Sequence, residues 1–294
     1  MSPRRPADVE VSRPDKVLWP DLGISKLDYR RYLDAVAEHM LPWLRERPLT
    51  IIRAPDGVEG ERYFQKAISS YAPDWIRRVE IPAPSAKRDV RYVVCDDVQT
   101  LRWLGNQAAV EYHPAPVRVD RLERPDWLVF DVDPPDDRFD AAIEVARLVL
   151  AELDAAGLEA GVKTTGGKGL HVLVPLERRY GARELRAAAA AITARVAEHE
   201  PDLVTDEFRK ADRGGRVMLD PSRNAPGATV VAPYSPRGHP EGRVSFPVVP
   251  EELASVGPGD FTLVTVPSML DRPGPRAWFD LAGRRFRLPK DLVG

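Results

Sequence analysis

The sequence predicts an α+β fold, and three observations carry that prediction. Short apolar runs rich in β-branched and aromatic residues end in proline, glycine or aspartate, as buried strands do. Longer segments repeat apolar residues every three or four positions, as amphipathic helices do. In the second half of the chain these elements follow the order strand, helix, hairpin, helix, strand, which is typical of a small sheet with helices on one face.

The elements divide the chain into an N-terminal module (1–120), a catalytic module (121–257) and a C-terminal tail (258–294) of a single domain. After irregular sequence over 1–24, Ser25 and Asp28 form a capping box that begins a helix ending near Leu44. The other elements predicted in the N-terminal module are strands at 48–53, 62–66, 91–95 and 110–113 and a helix at 97–105. Those predicted beyond it are helices at 139–153, 182–197 and 275–281 and strands at 127–130, 161–165, 170–176, 216–219 and 229–232.

Composition excludes several classes of protein. The 294 residues carry a formal net charge of −2, so a phosphate-binding surface must come from local clustering of basic residues. The single cysteine, Cys95, excludes an internal disulfide and a cysteine-rich zinc site. The charged N-terminal stretch shows no secretion signal, and no apolar segment is long enough to span a membrane, so we expect a cytoplasmic protein.

Two aspartates close the apolar strand that begins at Trp127. Asp131 and Asp133 are two residues apart, so both side chains leave the same face of the strand, just before Pro134 ends it. Two adjacent carboxylates repel each other unless a cation lies between them. The pair therefore predicts a site for Mg²⁺ or Mn²⁺, although solvated aspartates at a strand end are the simpler interpretation of Asp-x-Asp alone.

Two further patterns favour the metal-site interpretation. The turn from Thr165 to Gly169 carries three glycines and Lys168, which suits a polyphosphate, although an ordinary hairpin is about as frequent. The strand that ends at Asp220 supplies the third carboxylate that a two-metal site needs, although strand-end aspartates often only start a turn. Seven basic residues against three acidic ones between 209 and 243 fit phosphate recognition as well as they fit a solvated surface.

The ordered set of motifs resembles the polymerase domain of bacterial ligase D, in the archaeo-eukaryotic primase superfamily, over nearly the whole chain. The motifs are 15–20 (DKVLWP), 63–66 (YFQK), 111–113 (EYH), 130–134 (FDVDP), 165–171 (TGGKGLH), 220–224 (DPSRN) and 232–235 (APYS). The resemblance implies a primase-polymerase fold, in which an RRM-like catalytic sheet module packs against a smaller N-terminal α/β module. It also implies a DNA repair nucleotidyltransferase that extends a primer 3′-hydroxyl at gaps or double-strand-break ends, with ribonucleotides preferred.

The resemblance assigns roles to residues one by one. It implies that the ligands of two divalent ions, Mn²⁺ or Mg²⁺, are Asp131, Asp133 and Asp220. It implies that the nucleotide contacts are His113, Thr165, Gly166, Lys168, His171, Arg223 and Arg237. Its implied contacts to the downstream DNA 5′-phosphate and the template are Lys16, Lys26, Arg53, Tyr63 and Phe64. The sequence departs from the family pattern at four positions. The family has serine at Thr165, glutamine at Arg223, lysine at Arg53 and asparagine at Arg13.

The remaining expectations concern partners and alternatives. We expect a nucleoid-associated monomer whose partners are gapped or broken DNA, an NTP or dNTP, a Ku-type end-binding protein and a separate ATP-dependent DNA ligase. A metal-dependent nuclease would also use three aspartates, but it has less use for a triphosphate loop. A glycosyltransferase would not need Lys16, Lys26 and the aromatic pair. A DNA-end-binding scaffold with a vestigial acidic cluster is the non-catalytic alternative.

Overall fold

A computed structural model describes residues 6–83, 88–135 and 138–293. The chain forms two compact units, each assembled from segments distant in sequence. The first unit comprises residues 1–115, 229–244 and 261–270, and the second comprises residues 116–228, 245–260 and 271–294. Part of the predicted irregular N-terminal region, residues 1–5, lies outside the described residues.

The first unit begins with a small hairpin that the sequence did not predict. Strands β1 (Val17–Trp19) and β2 (Ile24–Ser25) pair antiparallel across a 3₁₀ turn and Gly23, whose φ is +63°. The expectation of irregular sequence over 1–24 is therefore wrong here. Strands of two or three residues are too short to show the period-2 alternation on which the prediction relied.

Helix α1 (Lys26–Leu44) follows, and the predicted capping box at its start is confirmed. The Ser25 hydroxyl accepts the Asp28 N–H at 3.2 Å, and the Asp28 carboxylate accepts the Ser25 N–H at 3.1 Å. These two bonds satisfy backbone donors that the first helical turn leaves without intrahelical partners. The helix buries an apolar stripe that includes Leu33 and Met40.

A five-stranded sheet and one helix complete the first unit. The strands are β3 (Pro48–Arg53), β4 (Tyr63–Gln65), β5 (Arg78–Ala83), β6 (Arg88–Val94) and β7 (Ala109–Pro114), and helix α2 (Val98–Asn106) lies between β6 and β7 in the sequence. The strands are ordered β4-β3-β6-β5, and β7 also pairs with β3. The sequence missed β5, which forms an antiparallel ladder with β6.

The strand predicted at 229–232 is wrong. Val230 and Ala232 donate their N–H groups to carbonyls of Pro114 and Tyr112, so the segment does run beside β7. It is not a regular strand. The next residue, Pro233, has no N–H with which to extend a ladder.

The second unit is built on a six-stranded sheet. Its elements are β8 (Trp127–Asp133), α3 (Phe139–Ala155), β9 (Gly161–Thr164), β10 (Leu170–Pro175), α4 (Ala182–His199), β11 (Val204–Thr205), β12 (Val217–Asp220), β13 (Pro247–Val248), α5 (Pro273–Ala282) and α6 (Lys290–Val293). The strand order is β11-β12-β8-β10-β9-β13, with β11 and β12 parallel and the other pairs antiparallel. Helix α3 returns the chain from β8 to β9, one position beyond the neighbouring β10, which is the split β-α-β arrangement of ferredoxin-like and RRM-like sheets. Helix α4 returns it from β10 to the edge strand β11, beside β12.

Strand β8 lies inside this sheet and positions the candidate site. Its residues from Trp127 to Val132 are buried, and Pro134 and Pro135 follow its end as predicted. Trp278 of α5 contacts strand β9 by donating its indole N–H to the Val162 carbonyl at 2.9 Å. A side-chain carbon at Gly161 would lie 2.7 Å from that ring, so glycine permits this close packing.

Candidate active site

Strand register brings four polar residues into one row across the sheet of the second unit. Asp131 of β8 is directly opposite Asp220 of β12 and, on its other side, His171 of β10. His171 is in turn directly opposite Lys163 of β9. Cross-strand partners share a face of the sheet, so the predicted metal ligands Asp131 and Asp220 lie beside each other. All four residues are buried, and Lys163 is fully so.

Asp131 is surrounded by cationic and polar partners. Arg223 Nε lies 2.7 Å from Asp131 Oδ2 and 3.8 Å from Asp220 Oδ2, and His171 Nε2 lies 3.4 Å from Asp131 Oδ1. Burial alone would raise the pKa of the Asp131 carboxyl, but the hydrogen bonds and charges of His171 and Arg223 outweigh it and hold the pKa well below its usual range. Asp131 is therefore an ionised carboxylate beneath a half-exposed guanidinium.

Asp133 is the more open of the two aspartates of β8. Its side chain is 27% exposed, against 12% for Asp131. Arg213 Nη1 lies 2.9 Å from one Asp133 oxygen, and Lys168 Nζ lies 3.4 Å from the other. Asp133 thus faces two cationic side chains where Asp131 faces one.

The glycine loop predicted to bind phosphate lies against the end of β8. Gly166 adopts a φ of +68°, and a side-chain carbon at Gly169 would lie 2.3 Å from the Val132 carbonyl oxygen, so both positions require glycine. The Thr165 hydroxyl donates to the Gly169 carbonyl at 3.0 Å. Lys168 donates to the Pro134 carbonyl at 2.7 Å. These contacts hold the loop and its lysine beside Asp131 and Asp220, which together with Asp133 we call the acidic row.

Sequence reasoning did not single out two residues of this site. Arg213 is one of the seven basic residues between 209 and 243, yet it is 6% exposed and donates to Asp133 and to the Glu207 and Phe208 carbonyls. Lys163 belongs to none of the sequence motifs, although a lysine inside a short apolar strand is itself an unusual signal.

In the first unit, one buried carboxylate holds the two predicted triphosphate contacts, His113 and Arg237. Glu111 Oε2 lies 2.9 Å from His113 Nε2 and 2.9 Å from Arg237 Nε, while Glu111 Oε1 accepts the Gly238 N–H at 3.0 Å. Burial alone would raise the pKa of Glu111, but His113 and Arg237 lower it below its usual value. The sequence contained Glu111 within a motif but did not indicate this organising role.

The predicted 5′-phosphate residues of the first unit form a basic cluster. Lys26 Nζ donates to the Ser12 carbonyl at 2.6 Å and to Asn106 Oδ1 at 2.9 Å. Burial and the nearby charges of Lys16 and Arg13 lower the pKa of Lys26. Mutual repulsion among these side chains is relieved by an anion, which is the property a phosphate site needs.

The predicted template-binding residues lie on strands β3 and β4 of the first unit. Arg53 is directly opposite Tyr63, and Phe64 follows on the same strand. Tyr63 and Phe64 are 45% and 61% exposed. The Arg53 guanidinium is anchored by the Gln107 carbonyl at 2.7 Å and by Gln65 Oε1 at 3.2 Å. Exposed aromatic rings beside a fixed guanidinium suit stacking on unpaired bases.

Within the described residues, no group of three or more histidine, cysteine, aspartate or glutamate side chains has a ready-made metal-binding geometry. The three candidate carboxylates instead face Arg223, Arg213 and Lys168.

A family model for the LigD primase-polymerase domain matches residues 25–278 of this chain. The chain belongs to that family. Among its curated relatives, the multifunctional non-homologous end joining protein LigD of Pseudomonas aeruginosa is 35% identical over 285 residues, which is 96% of this chain and 34% of the relative. The bifunctional LigD protein of Bacillus subtilis is 32% identical over 280 residues, 94% of this chain and 44% of the relative.

A solved structure extends the family relationship to three dimensions. The polymerase domain of Mycobacterium tuberculosis ligase D, in complex with DNA, has a TM-score of 0.84 and 32% sequence identity, and the match covers 90% of this chain and 95% of that one. The predicted primase-polymerase fold is therefore confirmed. The predicted class of enzyme, a nucleotidyltransferase of the primase-polymerase type, is confirmed by the family model and the solved polymerase domain.

The chain spans about a third of the length of the Pseudomonas LigD relative and under half of the Bacillus one. No helix in the described ranges is both long and apolar enough to cross a lipid bilayer.

Proposed function

We propose that this LigD-type polymerase adds nucleotides to a primer 3′-hydroxyl at DNA gaps or double-strand-break ends, that it requires divalent metal ions and that it recognises a downstream 5′-phosphate. The observation that carries the proposal is the acidic row, in which Asp131 and Asp220 face each other beside Asp133 and the glycine loop. A polymerase needs carboxylates next to a phosphate-binding loop, whereas a scaffold needs neither.

The donor set fits two divalent ions, Mn²⁺ or Mg²⁺. Asp131, Asp133 and Asp220 offer only carboxylate oxygens, which are the ligands that hard divalent cations prefer. Bound there, such ions supply positive charge that lowers the pKa of a primer 3′-hydroxyl and stabilises a pyrophosphate leaving group. Arg223, Arg213 and Lys168 lie beside the same carboxylates.

The glycine loop and its neighbours supply the nucleotide contacts of the second unit. We assign Thr165, Gly166 and Lys168 to the triphosphate, because a turn with positive φ and a lysine tip suits phosphate oxygens. Lys168 lies 3.4 Å from Asp133, so it is placed to neutralise phosphate charge beside that carboxylate. Arg223 stands where the family pattern has glutamine, and its guanidinium presents several donors to a sugar or base.

His113 and Arg237 are the triphosphate contacts that we assign to the first unit. Glu111 keeps both side chains oriented and supplies the counter-charge of Arg237. Charge that grows on the β- and γ-phosphates during transfer is stabilised by donor groups that are already oriented, because no reorganisation is then needed.

Two surfaces of the first unit are assigned to DNA. Lys16 and Lys26, with Arg13 beside them, bind the downstream 5′-phosphate, and Tyr63 and Phe64 stack on template bases near Arg53. Phosphate contacts position the duplex and stacking orders the single-stranded template. We further propose a preference for ribonucleotides. The names of the curated relatives support end joining as the setting. We also propose a Ku-type end-binding protein and a separate ligase as partners.

The test is extension of a labelled primer on a gapped duplex that carries a downstream 5′-phosphate. The assay contains Mn²⁺ and either ribonucleotides or deoxyribonucleotides, with the wild type, Asp131→Asn and, as a charge-matched control, the exposed Asp154→Asn. We expect template-matched extension by the wild type and Asp154→Asn but not by Asp131→Asn, with faster addition of ribonucleotides.

Two results would overturn the proposal. Tight gap binding without extension would favour a scaffold, and shortening of the primer would favour a nuclease.

A further inference from the structure

Phe208 is an exposed aromatic residue in the connection between β11 and β12 (206–216) of the second unit. It is 77% exposed, against 61% for Phe64 on the surface assigned to the template. Arg209 and Lys210 follow it and are exposed as well. Single exposed apolar residues are common on protein surfaces, so exposure alone assigns no role. What distinguishes Phe208 is the way in which its backbone is held.

The backbone at Phe208 is bound to the same side chain that binds the acidic row. The buried guanidinium of Arg213 donates from Nη2 to the Phe208 carbonyl at 3.0 Å and from Nε to the Glu207 carbonyl at 3.1 Å. It also donates from Nη1 to Asp133 at 2.9 Å. A planar guanidinium presents its donors in a fixed geometry, so the three bonds fix this backbone relative to the carboxylate. Phe208 is therefore presented to solvent from a fixed point beside Asp133.

Strand order places the β11–β12 connection and the glycine loop on opposite sides of β8. The order is β11-β12-β8-β10-β9, so the connection adjoins β8 through β12 and the glycine loop adjoins it through β10. In nucleotidyl transfer the attacking hydroxyl and the departing pyrophosphate lie on opposite sides of the reacting phosphorus. Since the triphosphate is assigned to the glycine loop, we expect the primer 3′ end on the β12 side, where Phe208 lies.

We propose that Phe208 stacks on a base at the 3′ end of the primer strand and that Arg209 and Lys210 contact the phosphates of that strand. This inference rests on the proposed function, because it takes the acidic row as the site of nucleotide addition. Every base has an aromatic face, so stacking tolerates any primer sequence. Basic side chains next to the ring supply the charge that holds a phosphate backbone. The primer contact is a different surface from the template contact at Tyr63 and Phe64.

A surface for another protein makes a different prediction. The connection also carries three acidic residues, Asp206, Glu207 and Asp212. Mixed charge around an exposed ring is suited to a protein partner as well. The bond from Arg213 to Asp133 favours the primer, since it ties this connection to the site of nucleotide addition. If Phe208 instead served a protein partner, its replacement would leave every contact with the primer strand unchanged.

The first experiment is photocrosslinking of a gapped duplex without added nucleotide. A 5-iodouracil base stands at the primer 3′ end in one duplex and in the template strand of the gap in the other, and peptide mass spectrometry locates the crosslinks. We expect the primer probe to modify Phe208 and the template probe to modify Tyr63 or Phe64. Phe208→Ala is expected to lose the primer crosslink and keep the template one.

The second experiment compares KM values in primer extension. Phe208→Ala is expected to raise KM for the gapped duplex about fivefold or more, the effect of losing one stacked base, with KM for the nucleotide unchanged. Phe208→Trp, which keeps an aromatic face, should restore the wild-type KM. Phe279→Ala, at a residue 52% exposed on α5, is the matched control. Because Phe208 is so exposed, its replacement should leave the melting temperature unchanged.

A primer crosslink confined to other residues, with the template crosslink kept, would overturn the inference and leave the proposed function standing. A KM for DNA in Phe208→Ala equal to that of Phe279→Ala would overturn it as well. Crosslinking needs no nucleotide addition, so it tests the contact even if the wild type extends no primer. That last result would overturn the proposed function instead.

Discussion

The six-stranded sheet of the second unit and the basic surfaces of the first unit hold their charges in different ways. In the sheet, Asp131, Asp220 and His171 are buried and aligned by strand register. In the first unit, Lys16 and the aromatic pair of β4 are partly exposed and depend on local hydrogen bonds and ion pairs. The sheet is suited to fixing reacting atoms, and the exposed surfaces are suited to binding a polymer.

Glu111 is an exception to this difference between the two units. It lies in the first unit, yet it is 4% exposed and contacts both an arginine and a histidine, as Asp131 does. We therefore expect substitutions to rank by burial and by charge pairing rather than by unit.

After the loss of extension expected for Asp131→Asn, the largest effect is expected at Asp133. Asp133→Asn removes the charge that faces Arg213 and Lys168 and, in the proposed mechanism, a metal ligand. Loss of a preorganised electrostatic group lowers kcat by about 10²–10³-fold. Single-turnover extension of a gapped primer measures the loss, and Asp154→Asn is the matched control. Activity near that of the control would show that Asp133 does not take part in catalysis.

Glu111→Gln is expected to have the next largest effect. The substitution keeps the shape of the side chain but leaves Arg237 without its counter-charge and His113 without its carboxylate partner. Hydrogen bonds to charged groups contribute about 1.5–3 kcal/mol, so we expect nucleotide KM to rise about tenfold or more. The exposed Glu38→Gln on α1 serves as the control. An unchanged KM would show that Glu111 supports only the fold.

Phe64→Ala tests the exposed aromatic surface. Phe64 is 61% exposed, so its loss should leave the melting temperature unchanged. Stacking contributes about 1–3 kcal/mol per base, so the Kd for a single-stranded template overhang should rise about fivefold or more. Phe279→Ala, at a side chain 52% exposed on α5, is the matched control. Equal template affinity in both variants would argue against stacking at Phe64.

The smallest effect is expected at the basic cluster. Lys16→Ala should reduce the preference for a gapped duplex with a 5′-phosphate over one with a 5′-hydroxyl by up to about fivefold, the range of a partly exposed ion pair. The ratio of the two Kd values separates the contribution of the 5′-phosphate to binding from that of the rest of the DNA. The exposed Lys290→Ala is the control. A ratio unchanged from the wild type would place the phosphate elsewhere.

The sequence predicted the features that depend on neighbouring residues. The capping box of α1, the strand that ends at Asp133 and the glycine turn all have signals within a few positions, and the structure has each of them. Alternation along β8 placed Asp131 and Asp133 on one face without knowledge of the sheet.

Features that depend on distant pairing were not predictable in the same way. The row from Lys163 to Asp220 exists because four strands align in one register, and neither residue signals its partners. Strand β5 was missed and residues 229–232 were wrongly assigned to a strand, because ladder formation depends on the neighbouring chain as well as on local propensity.

The metal dependence of templated nucleotide addition tests the central claim most directly. Primer extension on a gapped duplex is measured after removal of divalent ions with EDTA and again after addition of excess Mn²⁺, for the wild type and Asp131→Asn. The account predicts no extension without ions, full recovery with Mn²⁺ in the wild type, and no recovery in Asp131→Asn despite unchanged DNA binding. Extension in EDTA, or equal recovery in Asp131→Asn, would contradict it.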